Sequence, residues 1–233
     1  MRIANRSCTV RQYDDIRGLM LTEHRRSVPE LIDYCNRLIY GGRLEPKRAS
    51  LPAAERILPP FELVHVDGSD LRRGGSRQND IEASAIVGWL KAHREAIERH
   101  YLDNAGKPTP IWQLVGIVTP FAAQAGAIER RLRRDMPDLL RKDSRLTVGT
   151  VHALQGAERA IVLFSPTYGE IFNGGAFFDQ KPNMLNVAVS RAKDSLIVIG
   201  NRKLFDAGRT ALPSGLLATY LVERSRETVE IDG

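Results

Sequence analysis

The sequence predicts an α/β fold built on a parallel sheet with helices on both faces, and two observations predict it. First, short apolar, β-branched runs at 114–118, 146–151, 160–165 and 196–200 alternate with stretches of helical character at 121–135 and 183–193. Strands separated by helices return in the same direction, so their sheet is parallel and covered on both sides. Second, the 233 residues are 42% apolar and 27% charged, the mix of an ordinary globular domain with ample material for a core.

Each element has its own signal. Residues 1–20 are polar and without clear period, and read as a connecting or edge segment. Val28, Leu31, Ile32, Cys35, Leu38 and Ile39 recur at helical spacing, after a Ser27 that can cap and a Pro29 suited to a first turn. Gly41-Gly42 stops that helix. Residues 45–60 hold four prolines and predict a loop, and FELVHVDG (61–68) predicts a short strand closed by a turn. The polar, glycine-rich 68–78 predicts a mobile loop. Asn79 caps a second helix in which Ile81, Ala85, Ile86, Trp89 and Leu90 share a face. In parallel sheets ligands gather where strands end at their carboxyl side. Thr119-Pro120, the stretch from His152 to Glu158, and Asn201 all follow strands, and are expected at that edge.

Composition and motif spacing exclude several chemistries. No apolar run approaches the roughly 20 residues of a membrane span, and the opening MRIANRSCTVRQYDD lacks the apolar core of a secretory signal. Two cysteines suit free thiols in a reducing cytoplasm. Five histidines show neither HExxH nor Cys-His spacing, so no metal site is expected, and there is no GxSxG nucleophile elbow. A phosphate-cradling loop needs GxxxxGK followed by Ser or Thr. The one Gly-Lys pair, Gly106-Lys107, has Tyr101 in place of the first glycine and Pro108 in place of the hydroxyl. Asp14-Asp15 follows no apolar strand, so it is no magnesium-binding pair. The basic excess, 34 Lys and Arg against 28 Asp and Glu, favours a phosphate-bearing partner. The arginine run at 130–145 reads as a solvated helix face.

Four segments in order carry a family resemblance: LTEHRRSVPELIDYCNRLIYGGRLEP (21–46), VGIVTPFAAQAGAIERRL (115–132), LTVGTVHALQGAERAIVLFSPT (146–167) and MLNVAVSRAKDSLIVIGN (184–201). Together they resemble the C-terminal RecA-like motor domain of superfamily 1 helicases, in the branch of the nonsense-mediated-decay helicase and its bacterial relatives. The likeness implies a RecA-like, P-loop-NTPase-type sheet flanked by helices, with residues 1–20 connecting, 21–212 forming the motor domain and 213–233 a C-terminal helix and tail.

It also implies roles for individual residues. Arg191, in SRAK, matches one arginine finger of the family. Arg26 matches the other, lying three residues before Pro29 and fourteen before Tyr40, although Arg25 stands where the family has tyrosine. Gln155, Gly156 and Glu158 match the loop near the nucleotide's sugar and phosphates, and Thr119, Thr150 and His152 the nucleic-acid side. Gln124 matches a further polar position. ATP and magnesium are then held mainly by a first, N-terminal RecA-like domain with its Walker motifs, and single-stranded DNA or RNA is the partner. Two rivals stand beside this reading: a RecA-like binding module that never turns over ATP, and an unrelated α/β enzyme sharing only the alternation.

Overall fold

The computed structural model describes residues 11–13, 16–17, 20–68, 71–73, 75–150, 158–169, 175–180 and 183–223. Six strands form the central sheet: β1 (Phe61–His65), β2 (Val115–Thr119), β3 (Thr147–Thr150), β4 (Arg159–Phe164), β5 (Ala192–Gly200) and β6 (Val222–Glu223). Their order across the sheet is β6-β1-β5-β4-β2-β3, and every pairing is parallel.

Among the described residues, the helices that cover it include α1 (Pro29–Cys35), α2 (Asp80–His100), α3 (Ala122–Asp135), α4 (Asn183–Ser190) and α5 (Pro213–Ala218). Successive strand side chains point to opposite faces, so each central strand feeds two cores. On one face Val162, Phe164, Leu196 and Val198 pack with Leu31 of α1, Leu185 of α4 and Leu217 of α5. On the other, Ile161, Leu163, Ile197 and Ile199 pack with Ile86 and Leu90 of α2 and Ile128 and Leu132 of α3. These fifteen side chains are fully buried, which is why the strands read as unbroken apolar runs.

Local chemistry explains the element ends. Asn79 Oδ1 accepts from the amides of Ile81 and Glu82, both at 3.1 Å, and so starts α2. After α1 the chain continues as a π-helical turn, Asn36–Tyr40, and stops at Gly41 with φ +58°, a conformation that favours glycine.

The structure departs from the sequence reading at four points. Val28, not Ser27, occupies the cap position of α1, because a residue before proline is driven to extended backbone. The Ser27 hydroxyl instead donates to the Ala192 carbonyl at 2.7 Å. Ile81 is 45% exposed, and Ala83, Val87 and Ile97 join the buried face of α2 in its place. The expected loop at 68–78 contains an antiparallel hairpin, Leu71–Arg73 with Ser76–Gln78. The helix expected over 183–193 ends at Ser190, and β5 begins four residues earlier than its apolar run, at Ala192. At the C-terminal side, α5 and β6 join the same core and sheet as the rest. Among the described residues no helix is long and apolar enough to cross a membrane.

Candidate functional site

The chain segment before α1 lies across the start of β5. The Val28 amide donates to the Lys193 carbonyl at 2.9 Å, and the buried Ser27 hydroxyl to that of Ala192. Arg26 is therefore held at the amino edge of the sheet. Arg191 immediately precedes β5, and its carbonyl accepts from the Arg159 amide at 3.0 Å, which sets Glu158 beside the same edge. Arg26 and Glu158 form an ion pair in which the arginine side chain remains 59% exposed and the glutamate is largely covered. Arg191 is half-buried, and its Nε has no hydrogen-bond partner among the described residues.

A cleft of about 550 Å3 opens here, lined on its polar side by Arg25, Arg26, Arg48, Lys193, Glu158 and Asp194. Four cations against two carboxylates leave it positive, the polarity that draws phosphates. Arg191 is not among the lining residues. Arg25, which stands where a tyrosine was expected, pairs with Glu23 at 2.6 Å on the open surface and holds that carboxyl below its usual range. The sequence reading missed Arg48, Lys193, Asp194 and Tyr101. Lys193 and Asp194 sit in the SRAKD stretch that was already singled out, whereas Arg48 carried no signal within its proline-rich loop.

The threonines lie at the opposite edge. Thr119 ends β2 and Thr150 ends β3, and the two are register partners. By register Thr119 and Thr150 are level with Ser165, seven residues beyond Glu158, roughly 23 Å at ~3.3 Å per residue. Glu158 thus corrects the expectation that the 152–158 stretch gathers at the carboxyl edge, because it directly precedes β4. Thr119 is also corrected. Its side chain is fully buried, with its hydroxyl 3.1 Å from that of Thr167 and accepting from the Phe121 amide at 3.4 Å, so it is not presented to a phosphate. Thr150 is half-buried. His152, Gln155 and Gly156 lie outside the described residues.

Gln124, whose role the sequence left open, is fully buried and structural. Its amide donates to the Asn79 carbonyl at 3.1 Å and the Ser165 hydroxyl at 3.0 Å, and its carbonyl accepts from the Asn79 amide at 2.7 Å. It ties α3 to the start of α2. The arginine run on and after α3 is largely engaged at its own surface: Arg131 and Arg134 with Asp135, Arg145 with Glu129, and Arg130 with Gln78. Such exposed pairs suit a solvated face.

The chain is similar to several known proteins. Regulator of nonsense transcripts 1 of Dictyostelium discoideum is 31% identical over 193 residues, covering 79% of this chain and 14% of that protein. The Drosophila melanogaster homolog of the same regulator is 28% identical over 200 residues, covering 81% of this chain and 16% of that protein. DNA replication ATP-dependent helicase/nuclease DNA2 of Gallus gallus is 24% identical over 182 residues, 78% of this chain and 16% of its own length. The chain spans about a sixth or less of these relatives. An AAA domain family (AAA_12) matches residues 5–203, so most of the sequence answers to one family, and the chain belongs to it.

Proposed function

We propose that this chain is the C-terminal RecA-like motor domain of a superfamily 1 ATP-dependent helicase or translocase that works on single-stranded nucleic acid, DNA or RNA. The observation that carries the reading is the positive cleft at the amino edge of the sheet, lined by Arg26 and Glu158, with Arg191 immediately before β5 at the same edge. An N-terminal RecA-like domain supplies the Walker loop that cradles ATP. When that domain closes on the amino edge, Arg26 and Arg191 meet the charge building on the transferring phosphoryl group. A guanidinium suits that task because it is always charged and offers a planar fork of donors. Glu158 holds the Arg26 guanidinium in the open cleft, and the family resemblance gives Gln155 and Gly156 a role at the nucleotide.

Magnesium belongs with the first domain in this reading. Among the described residues no group of three or more His, Cys, Asp or Glu could hold a metal ion. The two cleft carboxylates, Glu158 and Asp194, are each taken up by an arginine. We assign the protein to the cytoplasm, where a buried, unpaired Cys35 is stable.

The opposite edge, where Thr150 ends β3, faces the strand, so that nucleotide and nucleic acid act on two ends of one sheet. Fluorescence anisotropy of a labelled single strand, at two salt concentrations, tests this layout. The chain should bind weakly, losing about 0.7 log units of affinity per log unit of salt for each phosphate contacted. Thr150→Glu should weaken binding further, and Arg26→Ala should leave it nearly unchanged. Salt-insensitive binding, or a loss caused by Arg26→Ala and not by Thr150→Glu, would refute the two-edge layout.

A further inference from the structure

We infer that Arg48 is a positioning residue that clasps the Arg26 segment to the start of β5 and thereby fixes where the Arg26 guanidinium stands. The inference rests on the reading of Arg26 as an arginine finger. Arg48 belongs to the proline-rich loop before β1, and its side chain reaches back across the junction of two other segments. Its Nη1 donates to the Arg26 carbonyl at 2.9 Å and to the Lys193 carbonyl at 3.0 Å. Its Nη2 pairs with Asp194 Oδ1 at 2.5 Å, and the other carboxylate oxygen accepts from the Tyr101 hydroxyl at 2.9 Å. One side chain therefore joins the residue before Ser27 to the second and third residues of β5, with Tyr101, just past α2, bracing the carboxylate.

The arrangement has more than surface value. The Arg48 side chain is 30% exposed and that of Asp194 only 14%, so the pair sits where solvent screens it incompletely. Burial, and next the charge of Asp194, push the Tyr101 phenol above its usual range, which keeps it a hydroxyl donor to that carboxylate. Without Arg48, the Arg26 segment would keep only the Ser27 hydroxyl and the Val28 amide, and that amide would open more often because its acceptor, the Lys193 carbonyl, is one that Arg48 also holds. Both bonds lie after Arg26, so the Arg26 carbonyl itself would lose its anchor. An arginine finger acts on charge that is present only near the transition state. A small displacement of its backbone therefore lowers turnover far more than nucleotide binding. Lysine carries the charge but not the fork that reaches two carbonyls and a carboxylate together.

Two measurements test the clasp. In this chain, amide hydrogen exchange at Val28 should quicken in Arg48→Ala by about tenfold or more, while Val162 and Val198 in the sheet keep their protection. Unchanged protection at Val28 would overturn the clasp. Should Arg48→Ala unfold the chain, Tyr101→Phe, which removes only the brace on Asp194, is expected to quicken Val28 more modestly, and no change there would likewise overturn it. In the complete ATPase, with its Walker-bearing domain, Arg48→Ala should lower kcat by roughly 10- to 100-fold and leave KM for ATP within about twofold. Arg48→Lys should not restore the rate. The double variant Arg26→Ala/Arg48→Ala should be no slower than Arg26→Ala alone, because both changes act on one guanidinium. A further multiplicative loss would show that Arg48 acts elsewhere and would overturn the proposal. A wild-type rate in Arg26→Ala would overturn the finger reading, and the catalytic role of Arg48 with it, while exchange at Val28 reports the clasp separately.

Discussion

Arg191→Ala, made in the complete protein with its Walker-bearing domain, is expected to lower kcat by roughly 10³-fold while nucleotide affinity changes little. The backbone of Arg191 is fixed on both sides. Its amide donates to the Ala188 carbonyl at 3.3 Å, and its carbonyl accepts from the Arg159 amide at 3.0 Å. Arg191 is a half-buried residue on an anchored backbone, and its buried Nε meets no acceptor among the described residues, which leaves a donor for the phosphoryl charge of the proposed site. That charge peaks as the phosphoryl group transfers, so the loss falls on turnover rather than on binding. Arg191→Lys should recover little, because an ammonium lacks the planar fork. The measurement is ATPase rate against ATP concentration at saturating single strand, beside binding of a non-hydrolysable analogue. A folded Arg191→Ala protein turning over ATP at the wild-type rate would remove the finger assignment.

The second large effect concerns the sheet that holds both edges in place. Phe164 ends β4, is fully buried, and meets the ring of Phe178 edge-on at 5.8 Å. Phe178 in turn packs on Tyr168 and Phe205, so Phe164 anchors an aromatic cluster beneath the carboxyl edge. Phe164→Ala should cost about 3–5 kcal/mol, through lost transfer energy and the cavity left behind. For a domain of this size that corresponds to a fall in Tm of roughly 6–20 °C by calorimetry. Arg133→Ala, on the exposed side of α3, serves as the comparator and should shift Tm hardly at all. A fall of only a degree or two for Phe164→Ala would mean that β4 is not the strand on which the two cores meet.

The parallel sheet was legible in the sequence because its central strands are covered on both faces. Ile161 to Phe164 and Leu196 to Ile199 must all be apolar, and they stand out as runs. Asn79 was legible as a cap because its effect is local, reaching only the next three residues. Contacts distant in sequence were not legible. The hairpin at 71–78 looked like a polar loop, yet Arg77 lies over the ring of Tyr168, 4.5 Å from its centre. Lys193 and Asp194, near the start of β5, are polar and line the cleft, so Lys193 was read as the end of a helix and Asp194 was left out of the strand.

The site was half legible. Arg26, Arg191 and Glu158 were singled out by motif, and all three lie at the amino edge, whereas the carboxyl edge was expected for Glu158. Topology supplies the reason. In an all-parallel sheet every strand begins at the amino edge, and Glu158 directly precedes β4. Thr119 was misread for a related reason: a hydroxyl at a strand end satisfies local backbone and side-chain partners as readily as a ligand, and here Thr167 and the Phe121 amide take it. Arg48 reaches carbonyls 22 and 145 residues away, a connection no local pattern carries.

The central claim is that this chain completes an ATP site it cannot form alone, and steady-state phosphate release tests it most directly. The chain by itself is expected to hydrolyse no ATP above background, since it has no phosphate-cradling loop. Together with a domain carrying the Walker loop, it should raise turnover in the presence of single strand, and Arg26→Ala and Arg191→Ala chains should fail to do so. Phosphate release by the purified chain alone, abolished by Arg191→Ala and so not due to a contaminant, would contradict the account. So would a Walker-bearing partner whose turnover is the same with the wild-type chain, with the Arg191→Ala chain and with neither.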